Sequence, residues 1–277
     1  MAMTMWSAKM GSARSFARWA TLLTLFLTAA CETSLEADPA PSTATQDPPI
    51  LYSNVWSADA GIDLFGRGAE LVRGIREAAE YSYFVGLNNS YPGYSDAVGG
   101  PAGRNNPNID EVMARSDPRS SRQERSTVFR HITAYTAADR TIKATVCEYR
   151  VFPEPGRTDA PPNSDGFSLS DAIEVDLENN SNSPGLPGIA DSSFDARDSR
   201  AHRPPTWNIF GTWTVNKLRV VPAQSIPQGC MDWWHQQFPT FTQRSDAHIL
   251  SAPPGFQVPV QPVAIQYPEW IGLATPQ

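Results

Sequence analysis

Four side chains stand at positions where proton transfer could be done. His131, Tyr135, Tyr149 and Asp176 fall on three segments that alternate like β-strands. An acid facing a histidine or tyrosine across a cavity can exchange a proton with a bound molecule. Alternation sets Asp176 opposite the apolar side of its own strand, so the candidate cavity set is His131, Tyr135 and Tyr149. The competing reading makes these residues polar positions on a sheet surface with stacked tyrosines. It needs no cavity, so no catalytic residue is assigned from the sequence.

Other chemistry is thinly represented. The chain has no G-x-S-x-G nucleophile turn, no H-E-x-x-H, no C-x-x-C and no EF-hand loop. Its histidines, His131, His202, His235 and His248, lack metal-ligand spacing. Asp191, Asp195 and Asp198, with Asn180 and Asn182, could gather a calcium ion, but they fit no loop pattern and read as a solvated loop. No metal or cofactor is expected. Trp233-Trp234 lies beside Cys230, with Phe238 and Phe241 following. That cluster is either an exposed patch for a partner or core packing.

The elements that would hold these residues follow from periodicity. Ile62, Phe65, Ala69, Val72, Ile75, Ala79 and Tyr83 recur at steps of three and four, which predicts a long helix. Ser57 or Asp59 would cap it, Gly86 would stop it, and a break near Gly68 is allowed for. Ile109 to Arg115 reads as another helix. Thr127–Tyr135 and Thr141–Phe152 are rich in β-branched and aromatic residues around a turn at 137–140, and predict a hairpin. Ile173, Val175 and Leu177 alternate with acids and predict a half-wet strand. A strand over Trp207–Val221 breaks phase near Asn216, which predicts a bulge there. Residues 179–205 form a polar insertion, and Cys230–His235 suit one helical turn.

The two ends differ in kind. Lys9, Arg14 and Arg18 precede an apolar run from Trp19 to Leu27, followed by Thr28-Ala29-Ala30-Cys31. A run of about 10 residues is half of the roughly 20 that a spanning helix needs. Charge, apolar stretch and small residues in that order make a secretory signal. The thiol of Cys31 at the cleavage point could carry a diacylglyceryl group. The alternatives are an ordinary secreted protein with an incidental Cys31 and an uncleaved anchor. Beyond Cys31, residues 32–50 form a polar, Pro-rich tether. Residues 251–277 hold further prolines and are expected to form an extended arm.

Composition agrees with export. The formal charge is −7, and the leader carries three positive residues and no acid, so the remainder is more acidic still. Such a surface argues against nucleic acid as a partner. Of three cysteines, removing Cys31 leaves Cys147 and Cys230. An even remainder in an oxidising compartment reads as one disulfide, with two free thiols as the alternative.

The leader, on Thr28-Ala29-Ala30-Cys31, resembles that of bacterial lipoproteins, with Thr28 standing where leucine is commoner. This resemblance implies lipid on Cys31 and a place on the extracytoplasmic face of the plasma membrane, with an envelope protein as candidate partner. Asp139–Cys147 and Gly211–Leu218 are similar to strands of actinobacterial exported proteins with a nuclear-transport-factor-2-like domain. That resemblance implies an α+β fold: N-terminal helices packed on a curved, cone-like antiparallel sheet, with long irregular loops and a Pro-rich arm. The expected organisation is a signal over 1–30, a lipidated tether over 31–50, a domain over 51–250 and an arm over 251–277. The expected function is a non-enzymatic interaction or accessory module, with a small apolar ligand. A proton-transfer cavity enzyme and a lipid or solute carrier are the alternatives.

Overall fold

The computed structural model describes residues 50–103, 105–115, 117–118, 124–154, 168–191 and 203–274. All of them belong to the unit Asp47–Gln277. The expected signal, Cys31 and most of the expected tether lie outside the described residues, as do Asp195, Asp198 and His202. No helix among the described residues is long and apolar enough to cross a membrane.

The architecture is α+β around a five-stranded mixed sheet in the order β1-β2-β3-β5-β6. Its strands are β1 (Tyr52–Ala58), β2 (Ser126–Ala137), β3 (Thr141–Val151), β5 (Asp171–Asn179) and β6 (Trp213–Val220). The two-residue strand β4 (Ser168–Leu169) belongs to a separate small sheet with β7 (Thr242–Gln243) and β8 (Leu250–Ser251). Two findings correct the expected antiparallel sheet behind N-terminal helices. A strand comes first, and it pairs parallel to β2, with Tyr52 opposite Ser126 and Ala58 opposite Ile132. Parallel neighbours need a long crossover. Here that crossover contains α1 (Arg67–Val85). β1 escapes the period-two signal because Tyr52, Ser53, Asn54 and Trp56 are all buried, so no wet face marks it.

Helix α1 starts later than the periodicity predicts, after Gly66 rather than at Ser57 or Asp59. Ile62 and Phe65 lie in the turns that precede it. Its apolar stripe of Ala69, Val72, Ile75 and Ala79 is buried against the sheet. It stops at Gly86, whose φ of 83° suits glycine, and whose N–H bonds the Ser82 carbonyl at 2.7 Å. Two one-turn helices follow, α2 (Tyr94–Ala97) and α3 (Gly100–Gly103). The expected helix at Ile109–Arg115 is only a 3-10 turn over Glu111–Met113. On the opposite face of the sheet lies α4 (Gln228–Gln237), which extends the predicted single turn.

The strands alternate between two cores. Val128, Ile132, Val146, Val175 and Leu218 face α1. Cys147 and Ala172 face α4, with Met231, Trp234 and Leu250 packed over them. Cys147 and Cys230 are joined by a disulfide that ties α4 to β3. Asp176 pairs with Lys217 and Leu177 with Val215, so Asn216 is the extra residue, where the phase break predicts it. Both sheet edges are covered, which removes templates for pairing with another chain. Along β1, Trp56 N–H donates to the Tyr267 carbonyl and Tyr267 N–H to that of Asn54. Along β6, Leu218 N–H donates to the Asn108 carbonyl and Asp110 N–H to that of Leu218.

Candidate functional site

A cleft of about 560 Å³ opens between the C-terminal half of α1 and the end of the sheet where β2 and β5 begin and β3 and β6 end. Ligand pockets span roughly 300–1,000 Å³, so its size suits a small molecule. Its apolar wall is Phe84 from α1, Met113, Val128, Ile173 and Val220. Its polar end is Arg76, Glu148 and Arg150, with Glu124 and Asp171 at the rim.

A buried ion network fixes that polar end. Glu148 receives Arg76 through Nη2 at 2.8 Å and Arg130 through Nε at 2.9 Å. Glu80 receives Arg130 and Arg150, and Arg130 also donates to Asn54 Oδ1. Arg130 is fully buried, and such a guanidinium is tolerated only when its donors are met. Burial pushes the Glu80 carboxyl up. The charges of Arg150, Arg130 and Arg76 outweigh that effect and hold it far below its usual value. Glu80 therefore sits between arginines as a fixed anion, and both carboxylates are held in place by arginine hydrogen bonds, an arrangement that orients the polar end of the cleft. One α1 turn before Glu80, Glu77 accepts from the Trp56 indole at 2.6 Å, the Tyr91 hydroxyl at 2.8 Å and the Trp270 indole at 2.9 Å.

The sequence reading missed this network. Its signal was present: Arg130, Glu148 and Arg150 interrupt strands at positions that should face the α1 core, and Arg76 and Glu80 stand four apart on the buried side of the helix. Charges at core-facing positions on several elements are intelligible only as a mutual set.

The residues singled out from the sequence are placed as follows. His131 and Tyr149 pack against α4; Tyr149 also lines the cleft, whose lining includes neither His131 nor Tyr135, so the three do not share one cavity. Trp233 stacks on His131 with centroids 5.1 Å apart and tilts against Tyr149 at 5.2 Å. Tyr135 is turned to the α1 face by a bulge. Register shifts between Thr133 and Thr136, and Ala134 takes φ 49°. The Tyr135 hydroxyl consequently approaches Gly68 on α1. Asp176 pairs with Lys143 at 3.0 Å. Trp233 and Trp234 are 6% and 0% exposed, and they pack inward with the disulfide rather than forming a surface patch. Among the described residues, no group of three or more His, Cys, Asp or Glu side chains is placed to hold a metal.

His131 has closer company that the sequence reading did not assign. Its Nδ1 lies 2.8 Å from Ser57 Oγ and its Nε2 lies 3.0 Å from Asp59 Oδ1. Thr133 Oγ1 donates to Asp59 Oδ2 at 2.5 Å. Burial raises the Asp59 carboxyl, but the hydrogen bonds from Thr133 and His131, with the charge of His131, outweigh it and leave the carboxyl below its usual value. Ser57 and Asp59 come from the end of β1, and His131 from β2, so the parallel pairing brings them together. Compared with protein-family models, with curated proteins and with solved structures, the chain matches none.

Proposed function

We propose that this chain is an exported, lipid-anchored envelope protein that acts as an accessory module, holding a small amphipathic ligand in the cleft beside α1, where it is bound without being transformed. The cleft carries the reading. Phe84, Val128 and Ile173 offer an apolar wall, while Arg76, Glu148 and Arg150 offer a rigid polar end. Each of those guanidinium groups already faces a carboxylate. A strongly anionic ligand would therefore gain little, and a neutral molecule with one polar end fits best. The cone-like, nuclear-transport-factor-2-like form of the α+β frame is supported by a single long helix across one sheet face and a cleft at its end. The described part of the expected arm, up to residue 274, covers the domain edge, a role supported by the hydrogen bonds of Tyr267 to β1.

Lipid attachment rests on the leader and Cys31. The Cys147–Cys230 disulfide favours an oxidising compartment. A doubly or triply acylated Cys31 would hold the chain stably, where a single acyl chain would not. The tether would then set the domain off the membrane, within reach of an envelope protein.

Native mass spectrometry of the full chain, extracted from its own membranes in detergent, tests the reading. The expected result is a retained small molecule that Val128→Trp and Ile173→Trp both displace. In the same cells, an alkyne fatty acid should label the wild type and leave Cys31→Ala unlabelled and soluble. A chain without ligand, or one whose ligand survives both tryptophan variants, overturns the cleft assignment.

A further inference from the structure

We propose that Ser57, His131 and Asp59 form a nucleophilic triad that hydrolyses small neutral carboxylic esters, at a site separate from the cleft. A serine becomes a useful nucleophile when a base lies within hydrogen-bond reach and a third group orients that base. Ser57 Oγ, the imidazole and the Asp59 carboxylate meet this description at 2.8 Å and 3.0 Å. Ser57 Oγ has a second acceptor, the Arg130 carbonyl, but at 3.3 Å. The shorter contact directs its proton to Nδ1, which leaves the Nε2 proton for Asp59. The ring is used in the opposite sense to the familiar serine-protease arrangement, with Nδ1 toward the serine.

The surroundings keep this geometry in place. Trp233 stacks on the imidazole with the planes 12° apart, so the ring cannot swing. Thr133 fixes the other carboxylate oxygen of Asp59. The first turn of α4 closes over Thr133 so tightly that a Cβ on Gly229 would meet Thr133 Oγ1 at 2.0 Å. That side admits no substrate. The loop after Asp59 is different: Ala60 and Gly61 are exposed, and a Cβ on Gly61 would meet nothing within 4 Å. A substrate therefore enters over this loop, past the ionised Asp59, which disfavours anions. The narrow, one-sided approach favours a short acyl group.

The step balances with water as co-reactant. Ser57 Oγ attacks the ester carbonyl carbon as its proton passes to Nδ1. The tetrahedral intermediate collapses, the carbon–alkoxy bond breaks, and the alkoxide takes that proton to leave as alcohol. Water then attacks the acyl-serine with His131 again as base, releasing carboxylic acid and restoring Ser57. Asp59 stabilises the imidazolium in both halves. General-base assistance of this kind gives roughly 10²–10⁴-fold.

The test uses the full chain in detergent with its disulfide intact. A fluorophosphonate probe should form one adduct, mapped to the peptide carrying Ser57, and p-nitrophenyl acetate should be turned over faster than the corresponding palmitate. Ser57→Ala should abolish both signals. Asp59→Asn, at a side chain 45% exposed, should slow both by about tenfold or more in a chain that still unfolds cooperatively, with only a modest fall in thermal midpoint. Absence of an adduct at Ser57 in the folded chain overturns the proposal. So does an adduct that forms at the wild-type rate in Asp59→Asn and in a folded His131→Gln.

Discussion

Buried charge dominates at the residue scale. Arg130 sits between Glu80 and Glu148 with no exposed surface, and its removal from water is offset only by complete pairing. Glu80 supplies a pH signature. Its folded carboxyl is held below the ordinary glutamate value of 4.5, so its contribution is fully present above that value. It is lost progressively as pH falls below 4.5 toward the depressed folded value, because the unfolded chain then binds the proton first. Glu80→Gln should cost on the order of 3 kcal/mol at pH 7, since it leaves Arg130 and Arg150 short of a counter-charge. Urea midpoints between pH 7 and pH 3 should fall less steeply for Glu80→Gln than for the wild type. Parallel curves would remove Glu80 from the acid limb.

Close approach between elements is decided by glycines whose neighbours differ in freedom. Gly229 lies in α4, where alanine would gain about 1 kcal/mol of helix propensity. Its added Cβ would meet Thr133 Oγ1 at 2.0 Å and Thr133 Cβ at 3.0 Å, on a buried residue anchored in β2. Overpacking of that kind costs roughly 1–3 kcal/mol, so Gly229→Ala should be destabilising in thermal or urea unfolding. Gly68 in the first turn of α1 is the contrast. Its nearest neighbour is the Tyr135 hydroxyl at 2.1 Å, the far end of a half-buried side chain that can swing aside. Gly68→Ala should therefore be much closer to neutral. Equal losses at both positions would contradict this account of the packing.

At the largest scale, the unit Asp47–Gln277 is organised around its five-stranded sheet with a different partner on each face, and the disulfide joins the α4 face to β3. The bridge closes a separation of 83 residues, for which loop entropy gives on the order of 4–5 kcal/mol. The Cys147→Ser/Cys230→Ser pair should lower stability by up to that amount. Hydrogen exchange in Gln228–Gln237 should rise more than in α1. Unchanged protection in α4 would show that Trp233 and Trp234 hold the helix unaided. By itself the sequence determined the local periodic features. The β2–β3 hairpin, the apolar stripe of α1, its stop at Gly86 and the extra residue at Asn216 are each written in neighbouring residues. The sequence also offered Cys147 and Cys230 as a pair, with two free thiols as the alternative, and the structure joins them. Tertiary structure alone decided what meets what. β1 carries no alternation to read, since both its faces are covered, yet its parallel pairing delivers Ser57 and Asp59 to His131. The bulge at Ala134 turns Tyr135 to the other face, a reversal that simple alternation cannot anticipate. The ion network under α1 draws on four separate segments, from Asn54 to Arg150, so its members acquire meaning only once the chain has folded.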